Sequence, residues 1–184
     1  CKNTLASVQA LLGGQSIELY VEIPLDGIGA LNDLLGGVTV TLLDDFTASD
    51  PTMTAGKTLT LTGQQAEILV RSRMSMAVGT NEARMSRQRI FMDAAVPMIR
   101  ERISENSGFA SEMLDSLSPY LTTNMVRGRM INELNKAYHY DVQPVEYLTG
   151  EHTIGDDGFV EFHAASQSAV DFVLSAFYTK RDAQ

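Results

Sequence analysis

Residues 17–43 read IELYVEIPLDGIGALNDLLGGVTVTLL, and the period of the apolar residues changes twice along them. Ile17 to Pro24 alternates apolar and polar residues and is rich in β-formers, which predicts a strand. Asp26 to Leu35 places Ile28, Leu31, Leu34 and Leu35 on one side of a helix, and Gly36-Gly37 stops it. Val38 to Leu43 (VTVTLL) alternates again and predicts a second strand. Working outward, Leu5, Val8, Leu11 and Leu12 have helical spacing ahead of Gly13-Gly14. The order helix–strand–helix–strand predicts an α/β fold with at least part of its sheet parallel. The expected architecture is a layered α-β-α domain with a central mixed sheet, formed by residues 1–184 as a single unit.

Downstream, Asp44 to Gly56 carries loop residues and Thr58 to Leu61 a short strand. Thr62 followed by Gln65 is a capping-box pattern for a helix from Gly63 to Arg71. Met74 to Asn81 reads as a loop, and a long helix follows from Glu82 to Ser104, which Pro97 should kink or split. Ser118-Pro119 opens a helix running to Tyr138. Val142 to Thr149 and Gly158 to Phe162 read as strands flanking a Gly-Asp-Asp-Gly turn, and Ser166 to Tyr178 as a closing amphipathic helix.

The hydrophobic fraction of 44% and charged fraction of 20% are those of a globular chain, not a disordered one. No apolar run approaches the roughly 20 residues of a membrane span, and no signal peptide is recognisable. The formal net charge of -9 argues against nonspecific nucleic-acid binding, which needs a basic surface. The single cysteine, Cys1, forms no internal disulfide and admits two readings, a lipidated terminus or a chance starting point.

Charge is locally inverted. Seven of the 14 Lys and Arg are Arg71, Arg73, Arg84, Arg87, Arg89, Arg100 and Arg102, and from Lys57 to Arg89 the only acids are Glu67 and Glu82. Arg71 and Arg73 can aim at one ligand if the chain becomes extended at Ser72. Arg84, Arg87 and Gln88, at i, i+3 and i+4, share a face near the start of the long helix, where backbone N–H groups and the helix dipole also favour anions. Guanidinium forks match phosphate oxygens two at a time. The same sector continues through Phe91, Ala95 and Met98, so a cationic turn leads into an apolar face. That pattern suits a phosphate on a hydrocarbon tail lying in a cleft under the long helix. It equally describes an ordinary amphipathic helix with a solvated cap.

Leu31 to Val38 (LNDLLGGV) resembles the "LVDALGGV" segment of LytR–CpsA–Psr proteins. Leu61 to Ala66 (LTGQQA), followed by Val70-Arg-Ser-Arg73, resembles their "LnGeqAL…vR.R", and Arg84-Met-Ser-Arg-Gln88 is similar to their "R..RQ". The three occur in the family's order and spacing over about residues 1 to 105.

The resemblance implies a polyprenyl-phosphate-binding α/β domain that transfers a glycopolymer from a polyprenyl pyrophosphate carrier to peptidoglycan. It places the parent protein, membrane-anchored, on the extracellular face of the bacterial cytoplasmic membrane. By matched position Arg71, Arg73, Arg84 and Gln88 would bind the pyrophosphate, with Arg87 in support and Phe91, Ala95 and Met98 along the lipid tail. Arg71, Arg73 and Arg84 would act catalytically. The alternative is a non-catalytic module that senses or sequesters lipid phosphates. Asn81 stands where the family usually has Asp, with Glu82 as the candidate replacement. The family's Mg²⁺-coordinating aspartates lie upstream of the segment matching Cys1, so Mg²⁺ is expected in the complete parent domain, with ligands outside this chain. The chain is expected to be the C-terminal portion of such a domain and to hold half of its site.

Other constellations point elsewhere. Asp44-Asp45 with Asp50 fits no calcium loop and reads as an acidic turn. His139, His152 and His163 lack the spacing of a zinc site. Gly36-Gly37 lacks the pattern and lysine of a phosphate loop, and no GxSxG elbow occurs. Arg127 and Arg129 read as a solvated helix face.

Overall fold

The computed structural model of the chain describes residues 2–72, 81–140, 149–156, 158 and 160–177. In chain order these form α1 (Lys2–Leu11), β1 (Val21–Glu22), α2 (Asp26–Leu34), β2 (Thr39–Thr41), β3 (Thr58–Thr60), α3 (Gly63–Arg71) and α4 (Asn81–Glu105). Then come α5 (Phe109–Leu117), a 3-10 turn (Ser118–Tyr120), β4 (Thr122–Thr123), α6 (Arg127–Ala137), β5 (Gly150–Ile154), β6 (Val160–Ala164) and α7 (Ser166–Phe177). The α/β class expected from the sequence is what forms.

The expected mixed sheet is not what the described strands build. They pair antiparallel, β1 with β4, β2 with β3 and β5 with β6, each pair a separate two-stranded sheet. A parallel pair needs a crossover between its strands. The helix that could supply one, α2, joins β1 to β2, which do not pair. Between β2 and β3 the chain instead turns back on itself, with Leu42 N–H donating to Lys57 O and Gly56 N–H to Leu42 O. The strand expected over Ile17–Pro24 shortens to Val21–Glu22, the length its partner Thr122–Thr123 can pair.

The chain divides into two compact units, Cys1–Tyr20 with Val142–Gln184, and Val21–Asp141. In the first, α1 ends at Gly13 and Gly14, both at positive φ. The β5–β6 hairpin turns through Gly155 to Gly158, whose N–H donates to Gly155 O. Of the strand expected over Val142–Thr149, residues 142–148 lie outside the described residues.

The second unit carries the candidate site. Its core gathers Leu31 of α2 and Leu35 just after it, Val40 of β2, Ala66, Leu69 and Val70 of α3, Phe91, Ala95 and Ile103 of α4, and Phe109, Met113 and Leu117 of α5. The LNDLLGGV stretch works as a joint. Gly37 N–H donates to Asn32 O and Gly36 N–H to Asp33 O, the paired bonds of a Schellman ending, with both glycines at positive φ. A Cβ on Gly37 would also stand 2.9 Å from Leu61 O. Buried Asn32 accepts from Val38 N–H at 2.9 Å and donates to Leu61 O at 2.8 Å, tying α2 to the residues that lead into β2 and out of β3. On the outer face of that pair, Thr39 bonds Thr60 and Thr41 bonds Thr58 through their hydroxyls, the cross-strand contacts that set its register.

Pro97 does not split α4, which runs as one helix of 25 residues. The missing N–H costs a helix about 3 kcal/mol, but Phe91, Ala95 and Ile103 are anchored in the core on both sides of it. The helix expected from Ser118 to Tyr138 is interrupted by β4 and resumes only as α6.

Candidate functional site

The site forms where α3 ends and α4 begins. Thr62 starts α3 as expected: its hydroxyl accepts from Gln65 N–H while the Gln65 side chain accepts from Thr62 N–H. With that end fixed, the register of α3 carries Arg71 to its last position. Ser72 then leaves the helix at φ -56° and ψ 130°, the extended conformation that Arg71 and Arg73 would need to aim together. Arg73 lies outside the described residues, as do the side chains of Asn81 and Glu82.

The second turn of α4 docks on that helix end. Arg87 Nη2 donates to Ser72 O at 2.6 Å and Gln88 Nε2 to Val70 O at 3.3 Å. Carbonyls at a helix C-terminus lack intrahelical donors and carry partial negative charge, so a guanidinium and an amide satisfy them well. Arg87 Nη1 reaches Asp44 Oδ2 at 2.8 Å. The Arg87 side chain is 1% exposed and that of Asp44 26%. Arg87 is therefore a buried, paired cation that fastens the loop after β2, the end of α3 and the start of α4.

The other cations differ in setting. Arg71 is more than half exposed and bonds Asp26 at 2.8 Å, with Glu67 at 3.9 Å. Arg84 is half-buried, one turn before Gln88 on the same side of α4. Arg100 donates to Tyr138 O and Arg102 to Leu35 O, so these two arginines close helix ends at the far end of α4. Arg127, read as a solvated residue, pairs with Asp115 on the surface.

The apolar continuation of the arginine face lies inside the protein. Phe91 and Ala95 are fully buried members of the core, and Met98 packs against it. In this structure they hold α4 to the rest of the unit. Arg87, Phe91 and Ala95, spaced by four, form one buried row along α4.

Of the acids that meet the cluster, the sequence marks Asp44 only as part of an acidic turn and Asp26 only as the start of a helix. One signal was present: an arginine one turn before Phe91 on a core-facing row needs a buried partner. Among the described residues, no three His, Cys, Asp or Glu side chains come together to hold a metal ion. None of the described helices is long and apolar enough to cross a membrane.

Three solved structures share the fold. Protein gbs0355 from Streptococcus agalactiae is 19% identical with a TM-score of 0.73, over 93% of this chain and 60% of its own. Bacillus subtilis TagV is 18% identical with a TM-score of 0.67, over 95% of this chain and 69% of its own. TagT, in a structure bound to LI-WTA, is 19% identical with a TM-score of 0.68, over 94% of this chain and 64% of its own. The chain thus spans between 60% and 69% of the length of these three. No curated protein matches it. The profile of the LytR_cpsA_psr family matches residues 2–172, extending well beyond the motifs of the first 105 residues, and the chain belongs to that family.

Proposed function

We propose that this chain is the anion-binding part of a transferase that moves a glycopolymer from a polyprenyl pyrophosphate carrier to peptidoglycan. The observation that carries the reading is the α3–α4 junction, where Arg71, Arg84 and Gln88 are mounted on two helices that Arg87 fastens together. Membership of the LytR–CpsA–Psr family and the likeness to TagT bound to LI-WTA support it.

In the proposed step an acceptor hydroxyl oxygen attacks the glycan-bearing phosphorus. The bond from that phosphorus to the bridging oxygen of the pyrophosphate breaks, polyprenyl phosphate departs, and the hydroxyl proton passes to solvent or a base. Negative charge grows on the departing phosphate. Arg71, Arg73 and Arg84 stabilise it, Arg71 and Arg84 from the two helices that Arg87 and Gln88 hold together, and Gln88 adds a neutral donor. Mg²⁺ belongs to the proposal as a component of the complete domain. The described residues do not fit it, so no step is assigned to it. The proposal places the protein, membrane-anchored, on the outer face of the cytoplasmic membrane.

The test is turnover by the full-length protein supplied with Mg²⁺ and a polyprenyl-pyrophosphate-linked glycan, read as released polyprenyl phosphate. Arg84→Ala should slow release by about 10²-fold, by analogy with loss of one oxyanion-hole donor. Unchanged turnover in Arg84→Ala removes that residue from the mechanism. Saturable binding without release by the wild-type protein makes the chain a lipid-phosphate sensor instead.

A further inference from the structure

Asp44 sits just beyond β2, in a stretch whose sequence marks it only as an acidic turn. Its carboxylate is nevertheless the counter-charge of the most deeply buried cation described. Arg87 Nη1 donates to it, Nη2 donates to Ser72 O, and the buried Nε has no hydrogen-bond partner among the described residues. A buried guanidinium that loses its carboxylate is left as an uncompensated charge, and the usual response is to move toward water or toward another anion. Movement of Arg87 would release Ser72 O, the point where the chain leaves α3. It would also shift the part of α4 that carries Gln88 and, four residues earlier, Arg84.

Resting on the reading of the junction as a pyrophosphate site, we propose that Asp44 is a positioning residue for it. Acting through Arg87, it fixes the angle at which the end of α3 and the start of α4 present their donors. It also neutralises Arg87, so that this arginine braces the site rather than swinging out to the ligand. Asp44 itself touches no substrate.

The experiment is calorimetric titration of the full-length protein with farnesyl pyrophosphate at fixed ionic strength, with unfolding midpoints measured in parallel. Asp44→Asn keeps the size and one acceptor but removes the charge, and Asp44→Ala removes both. Affinity should fall on the order of tenfold in Asp44→Asn and more in Asp44→Ala, as expected when binding groups are misplaced by a fraction of an ångström. Asp44→Glu, which restores the charge at a partly exposed position, should recover most of the loss. A merely structural role would lower the unfolding midpoint and leave the affinity of the folded protein unchanged.

If Asp44→Asn, folded by circular dichroism, binds as the wild type does while Arg84→Ala does not, the positioning role is overturned and the site stands. If the wild-type protein does not bind farnesyl pyrophosphate, the pyrophosphate reading fails and this inference fails with it.

Discussion

Arg71, the last residue of α3, donates from Nη1 to Asp26 Oδ1 at 2.8 Å, joining the end of α3 to the first residue of α2. Both side chains are more than half exposed, 55% and 64%, and ion pairs of that kind contribute about 0–1 kcal/mol. Asp26 therefore occupies Arg71 without holding it strongly, and a phosphate can take its place. Asp26→Asn should raise the affinity for pyrophosphate by roughly two- to fivefold, the equivalent of up to about 1 kcal/mol. Thermal stability should barely change. Titration with inorganic pyrophosphate decides it, and equal or weaker binding by the variant would show that Asp26 does not compete.

The close approach of α2 and α3 supports the same junction from below. A Cβ on Gly63 would lie 2.5 Å from Asp33 Oδ2 and 2.9 Å from Gly29 O, and one on Gly29 would lie 3.1 Å from Gly63 O. Backbone meets backbone there, so the clash cannot be relieved by a rotamer change alone. Gly63→Ala should cost about 1–3 kcal/mol, the range of core overpacking. Urea unfolding measures it, with the exposed neighbour substitution Gln64→Ala expected to be neutral. Equal midpoints for the two variants would refute the tight contact.

What was legible in the sequence is what local chemistry decides. Thr62 with Gln65 gave the start of α3, and Gly36-Gly37 the end of α2, because caps are settled within a few residues. The arginine face of α4 was legible from spacing of three and four. Strand pairing was not, since the partner of Val21–Glu22 lies a hundred residues away at Thr122–Thr123. The Asp44–Arg87 pair was hidden for the same reason. Phe91 and Ala95 carried a pattern that both a lipid cleft and a core produce, and their burial was not legible from spacing. Helix α5 had its own legible row, Phe109, Met113 and Leu117 at spacings of four, which the sequence reading passed over.

Asn32 offers a sharper test of the joint that sets α2 against the β2–β3 pair. Its side chain is fully buried and serves Val38 N–H and Leu61 O together. Asn32→Ala leaves one buried donor and one buried acceptor unpaired, at about 1–3 kcal/mol each. A loss of about 2–5 kcal/mol in denaturant unfolding is expected on that basis. Asn32→Asp keeps an acceptor for Val38 but sets a carboxylate against the Leu61 carbonyl, so it should not rescue. A loss below about 1 kcal/mol in Asn32→Ala would mean that water or a shifted backbone replaces the amide.

Acid should loosen the start of α3 through Asp50. The Thr52 hydroxyl and Thr52 N–H donate to its carboxylate at 2.7 and 2.8 Å, and Gln65 Nε2 donates at 2.9 Å. These bonds, the Thr52 hydroxyl foremost, hold the Asp50 carboxyl below its ordinary value of 3.8. A depressed carboxyl binds its proton more readily in the unfolded chain than in the folded one. Its contribution is therefore present above about pH 3.8 and lost as pH falls through the lower folded value. Asp50→Asn should flatten the fall in thermal midpoint below that pH without abolishing it, because Thr47 holds Asp45 down in the same way. Gln65 bonds both Asp50 and Thr62 N–H, so protonation should also speed amide exchange in the first turn of α3 before global unfolding. Hydrogen exchange from pH 6 downward reads this directly. Uniform protection along α3 at every pH would separate the Asp50 contact from the cap and leave it a purely local turn.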